Sequence, residues 1–143
     1  MAKAVEIYDV LPNIFSRNTQ PSDVGIKIPL DANESLEWKR GEMIFRTTST
    51  DSVTSVVTIS FSNTYASGGE LVGILVNDIN YTTTASEERQ VDVYVAGWFL
   101  GPIIYEIQTT ATKTWLDSQA STQGLSSPYS QTLNNTINLE VGT

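Results

Sequence analysis

The chain has 143 residues, which suits one domain large enough to bury a hydrophobic core that is stable without disulfide bonds. Cysteine and histidine are both absent, which excludes disulfides, thiolate zinc sites, a cysteine nucleophile and the usual general base near neutral pH. The net charge of −8 argues against nucleic-acid binding, which needs clustered Lys and Arg. Residues 1–10 lack the continuous apolar run of a signal peptide, and no segment reaches the about 20 apolar residues of a membrane span, so we expect synthesis in the cytoplasm.

Residues 1–25 differ in pattern from the rest of the chain. Their apolar residues are irregularly spaced, and Pro12 and Pro21 interrupt any helix. Termini are often frayed, but this segment is too apolar for a purely solvated tail, so we favour an arm that becomes ordered on a partner. The candidate contact residues of this arm are Val5, Ile7, Tyr8, Val10, Leu11, Ile14 and Phe15.

Residues 26–143 are predicted to form one β-rich domain. The alternation that begins at Val24 predicts a first strand that ends at Pro29, and residues 42–47 and 53–61 predict two more. The segment Leu71–Val76 is apolar on both faces, which predicts a central buried strand. Gly73 inside that strand indicates a close backbone approach or a bulge.

The second half of the domain has a less regular pattern. Residues 79–88 read as a polar loop, and Val91, Val93, Val95 and Phe99 are predicted to share one face of a strand. Residues 103–107 predict another strand, and residues 112–119 predict the one short helix. Clean alternation over residues 133–141 predicts a C-terminal strand that closes the sheet. The predicted fold is a small, mainly β single domain with at most one short helix.

The sequence contains no recognisable catalytic or metal-binding pattern. Its carboxylate pairs have no spacing that fixes a glycosidase geometry, and the acidic spacing of a calcium loop is absent. We therefore expect no enzyme, no cofactor and no metal site. Tyr94 and Trp98 lie at even positions, opposite the valines of their strand, and we interpret them as a subunit or partner contact, with a sugar-stacking platform as the alternative.

Three stretches together resemble the head decoration proteins of lambda-like bacteriophages. They are Val72-Gly73-Ile74-Leu75, the connector Thr82-Thr83-Thr84, and Tyr94-Val95-Ala96-Gly97-Trp98-Phe99. Residues 41–45 are similar to the preceding strand of that family, and residues 136–141 are similar to its closing strand. The resemblance covers about residues 40–107 and the C-terminal tail.

The resemblance implies a β-tulip or β-clip-like fold and a structural function in the virion. Proteins of this family bind the outer surface of the expanded head as homotrimers and cement it against the pressure of packaged DNA. The implied partner is the major capsid protein, with no direct contact to nucleic acid or membrane. The arm residues named above would bind the capsid, and Tyr94 and Trp98 would lie at a trimer or partner surface. Deleting residues 1–15 would leave a folded protein that no longer binds heads.

Two other classes of function stay open from the sequence. One is a different virion component, such as a tail-tube or head-fibre protein, which would form rings or needles. The other is a carbohydrate-binding β-sandwich that uses Tyr94 and Trp98.

Overall fold

The computed structural model describes residues 13–142, which form nine strands and two helices. The strands are β1 (Ser22–Leu30), β2 (Ser35–Trp38), β3 (Met43–Thr50), β4 (Val57–Ser62), β5 (Glu70–Leu75), β6 (Ile79–Thr82), β7 (Glu87–Leu100), β8 (Gln131–Leu133) and β9 (Ile137–Glu140). The helices are α1 (Gly101–Ile107) and α2 (Thr110–Thr122). The mainly β prediction is confirmed, whereas the limit of one short helix is wrong.

The long strand β7 organises the main sheet. The sheet has the order β4-β3-β5-β7-β9-β8, and β1 pairs with β7 in addition. All of these pairings are antiparallel except that of β7 with β9, which is parallel. Strands β2 and β6 form a separate two-stranded ribbon.

The sheet separates two hydrophobic cores. Met43 and Phe45 belong to one core and Ile44 to the other, and Ile74 and Leu75 divide in the same way, as the alternation of side chains along a strand requires. The first core also receives Ile104 and Leu116 from the helices and Leu133, Ile137 and Leu139 from the C-terminal hairpin. The second core lies between β1, β7 and the β2–β6 ribbon, from which Leu36 and Trp38 are buried.

The central strand predicted over residues 71–76 is confirmed as β5, in which Leu71, Ile74 and Leu75 are buried. The close approach at Gly73 is also confirmed. A Cβ atom at this position would lie 2.5 Å from the carbonyl oxygen of Tyr94. The register of β3 against β5 shifts directly beside this glycine, between Ile44 and Phe45, so the bulge is present as well.

The strand predicted over residues 103–107 is wrong, because this segment is helix α1. Pro102 occupies the first turn of the helix, where its fixed φ is favourable and its missing N–H costs nothing. The buried side chain of Gln108 then holds the end of α1 against the sheet. Its Nε2 donates to the carbonyls of Ile104 (2.7 Å) and Gly41 (2.8 Å), and its Oε1 accepts from the N–H of Met43 (2.8 Å).

The helix predicted over residues 112–119 is confirmed as α2 and extends further at both ends. Leu116 is fully buried on its inner face. Trp115 packs edge-on against Phe45 at a ring distance of 5.0 Å and stacks on Tyr65 at 5.4 Å. These aromatic contacts fix the helix over the first core.

Three predicted boundaries are corrected. The predicted loop over residues 79–88 contains strand β6, which pairs with β2. The strand predicted over residues 53–61 starts only at Val57, because Asp51 accepts backbone hydrogen bonds from Val53 and Thr54 and closes a turn there. The single C-terminal strand is a hairpin, because Asn134 and Asn135 adopt φ of 51° and 62° and reverse the chain.

Replacing Gly73 with alanine tests the close approach of β5 to β7. We expect Gly73→Ala to lower the free energy of unfolding by about 1–3 kcal/mol, because the added methyl group would collide with a backbone carbonyl that the sheet holds in place. Urea unfolding followed by tryptophan fluorescence measures this change. Gly142→Ala is the matched control, since open space surrounds that position. Equal stability of the two variants would contradict the packing described here.

Candidate functional site

The segment that leads into β1 is held against the C-terminal end of β7. The N–H of Leu100 donates to the carbonyl of Ile14 (2.9 Å), and the N–H of Ser16 donates to the carbonyl of Trp98 (3.2 Å). Phe15 and Phe99 form an antiparallel bridge between these bonds. We call residues 13–21, together with Trp98 and Glu140, the junction surface.

Ile14 and Phe15, which the sequence placed in the arm, pack against the domain. Ile14 is fully buried in the first core. The half-buried ring of Phe15 meets Tyr94 edge-on at 5.3 Å and Phe99 at 5.5 Å. A deletion of residues 1–15 would therefore remove core contacts, so the cut that keeps these contacts is after residue 12. The other predicted arm residues, Val5, Ile7, Tyr8, Val10 and Leu11, lie outside the described residues.

Tyr94 and Trp98 do not share one face of β7, although they occupy positions of the same parity. The register of β1 against β7 jumps from Tyr94 to Ala96, and Gly97 follows with a φ of 150°. As a result Phe99 joins the first core beside Tyr94, at a ring distance of 5.8 Å, while Val93 lies in the second core. The prediction that Phe99 shares a face with the valines is wrong, because this irregularity reverses the alternation.

Trp98 instead lies beneath Arg17 on the junction surface. The guanidinium carbon of Arg17 is 3.5 Å from the centroid of the indole ring, a cation–π arrangement. One face of the ring is therefore occupied, and a sugar or another ligand would have to use what remains of the half-exposed side chain.

A carboxylate from the C-terminal strand completes the junction surface. Arg17 forms a two-pronged ion pair with Glu140, at 2.8 Å from Nε to Oε1 and 2.9 Å from Nη2 to Oε2. The hydroxyl of Ser16 donates to the same carboxylate at 2.6 Å. The hydrogen bonds from Arg17 and then from Ser16 lower the pKa of Glu140, and the bond to Glu140 raises the pKa of Arg17. These bonds tie the N-terminal segment to β9.

The junction surface forms an open depression of about 510 Å³, lined by residues 13 and 15–21. Residues 13–142 contain no group of three or more acidic, His or Cys side chains placed to hold a metal ion. Within the same range no helix is long and apolar enough to cross a membrane.

Comparison with known proteins gave no similarity from which a family follows. No family model matches the chain, and neither the curated proteins nor the solved structures contain a match to it. The sequence resemblance and the geometry of the described residues therefore carry the functional argument.

The ion pair at Glu140 predicts a pH dependence of stability. Because folding lowers the pKa of this carboxylate, its contribution is present above the pKa of the unfolded state and is lost as the pH falls through the folded value. We expect Glu140→Gln to be less stable than the original chain at about pH 7, with the gap shrinking towards about pH 3. Urea unfolding at both pH values measures it.

Glu70→Gln is the control for this experiment. It removes the carboxylate of another ion pair, Glu70 with Arg46, whose acidic side chain is 71% exposed compared with 19% for Glu140. Exposed pairs contribute little to stability. A gap for Glu140→Gln that stays constant with pH would show that this ion pair does not hold the junction.

Proposed function

We propose that the chain is a structural virion protein that decorates the outer surface of a bacteriophage head. In this proposal it binds the expanded head as a homotrimer, contacts the major capsid protein and stabilises the shell against internal DNA pressure. It acts without catalysis or a cofactor and without binding nucleic acid or membrane.

The observation that carries the proposal is the pairing of the stretches that resemble the decoration family. Val72–Leu75 lies on β5 and Tyr94–Phe99 lies on β7, and the two strands pair through Ile74 with Tyr94 and Leu75 with Val93. Stretches separated along the sequence thus form one structural unit at the centre of the sheet. This supports reading them as a family core and not as separate chance matches.

The junction surface supports the proposed role of the first residues. Ile14 is buried and hydrogen-bonded to β7, so the residues before it start from a firmly held point of the domain. The sequence before that point carries apolar residues such as Val5 and Ile7, which can add backbone pairing and apolar contacts to a capsid strand. In a trimer three such segments would act together, and avidity would slow detachment.

Co-sedimentation with heads tests the proposal directly. We expect saturable binding of the full chain to expanded heads that lack a decoration protein, and none to unexpanded proheads. A chain that starts at Asn13 should keep its fold, because Ile14 and Phe15 remain, and should bind at least about tenfold more weakly. Circular dichroism and light scattering check the fold and the trimer.

A pair of substitutions separates the arm from general surface effects. Ile7→Asp should weaken head binding, whereas Val53→Asp, at a side chain that is 90% exposed on the β3–β4 turn, should leave it unchanged. Failure of the full chain to bind expanded heads would contradict the proposed decoration role. Electron micrographs of rings or needles would favour a tail-tube or head-fibre protein.

A further inference from the structure

The hairpin formed by β3 and β4 projects beyond both cores. Its strands pair from Phe45 with Ser62 to Thr50 with Val57, and every residue from 48 to 60 is exposed. Phe61 is the residue of β4 that packs against the second core. The part of β4 that begins at Val57 therefore lies at an accessible edge of the sheet.

The backbone of β4 is paired on one side. This strand ends the sheet order, and its described backbone hydrogen bonds lie on the side of β3. In an antiparallel pair every second residue points its N–H and C=O groups away from the neighbouring strand. Strand β1 approaches β4 where both reach the second core, through Ile28 and Leu30 on β1 and Phe61 on β4, but the two strands do not pair. The end of β4 at Val57 stays open.

The other terminal strands of the described sheet carry features that discourage strand addition. Strand β1 contains Asp23, Lys27 and Pro29, and β8 is three residues long. Charged residues, proline and shortness are the usual protections of an edge strand. Strand β4 is six residues long and contains neither a charged residue nor proline. It is therefore the unprotected edge of the sheet.

The sequence around β4 is free of charge in an otherwise acidic chain. Residues 52–69 contain no charged side chain, whereas 17% of the whole chain is charged. Asp51, just before this stretch, accepts two backbone hydrogen bonds within its own turn, and Arg46 on β3 pairs with Glu70 at 2.9 Å. A basic partner gains nothing from such a surface. Two identical copies, each with a net charge of −8, repel least where they meet through it.

The side chains of β4 suit pairing with an identical strand. Val57 and Ile59 share one face of the strand with Phe61, and they are 57% and 45% exposed. Thr58 and Ser60 lie on the opposite face. A short run of β-branched and aromatic residues without charge, proline or glycine is the sequence type that pairs with copies of itself when it lies on an edge.

We propose that β4 binds β4 of a second copy of this chain, as an antiparallel pair about a two-fold axis. Contact between two identical edges is isologous, and the two-fold axis makes the strands antiparallel. Because β3 occupies the inner edge of each β4, this contact joins two copies and no more. The net charge opposes the contact, so it strengthens when salt screens the repulsion. The inference does not rest on the proposed decoration role, because it concerns the chain without heads.

Sedimentation equilibrium of the full chain tests the pairing. We expect the mass of the species present in dilute salt to double as the chain concentration rises. The association constant should be at least about tenfold larger in about 0.5 M sodium chloride than in about 0.05 M. Hydrogen exchange in the higher salt should show added protection of β4 amides. A mass that does not respond to concentration or salt, or added protection confined to other strands, would contradict the proposal.

Two matched variants separate the β4 edge from general effects of charge. Ile59→Lys should lower the association constant by about tenfold or more, because it places two like charges on the paired strands. Val24→Lys is the control, since Val24 lies on β1, is also 45% exposed, and the substitution changes the net charge by the same amount. It should leave the constant unchanged. Circular dichroism checks both folds, and an equal loss in the two folded variants would overturn the assignment to β4.

A mixture of oppositely charged variants tests whether both copies use the same edge. Ile59→Glu should associate with itself as weakly as Ile59→Lys does, because like charges again meet on the paired strands. An equal mixture of the two variants should associate more strongly than either alone, because opposite charges across paired strands attract. A mixture no stronger than its components would show that β4 does not pair with β4.

Discussion

Backbone pairing along β7 is the constraint on which the rest of the structure depends. Nine of its residues between Glu87 and Ala96 pair with β1, Val93 and Tyr94 pair with β5, and its last four residues pair with β9. The segment at Ile14 adds to the same end of the strand. One strand therefore joins the N-terminal segment, the middle of the chain and the C-terminal hairpin, and both cores are built against it. Loosening β7 would release all three parts together, which is the basis of a single cooperative domain.

The irregularity around Gly97 decides which core each residue of β7 joins. Before it, Val93 enters the second core and Tyr94 the first, as strict alternation demands. After it, Phe99 enters the first core together with Tyr94. A β-carbon on Gly97, at a φ of 150°, would also lie 3.2 Å from the ring of Phe99 and from Pro21. The glycine thus allows the junction segment, the aromatic rings and β9 to meet at one place.

The sequence predicts those elements whose signals are local. The run of apolar residues in β5 and the contacts of Leu116 in α2 follow from residue type and spacing alone. Helix α1 is missed because Ile103, Tyr105 and Ile107 satisfy a period of two, although Ile104 is the residue that the helix buries. The contacts of the candidate site are not predicted, because they join residues that lie far apart along the chain. Arg17 and Glu140 are 123 residues apart along the chain, so no pattern of neighbouring residues reveals their contact.

The same limit explains why the packing of Ile14 and Phe15 against the domain is seen only with the structure. The sequence shows that an apolar side chain favours burial, but it does not show which part of the molecule buries it. Ile14 is buried by the domain itself, whereas Ile59 on β4 stays 45% exposed. An edge strand such as β4 also invites pairing between identical chains, which the net charge of −8 on each chain opposes.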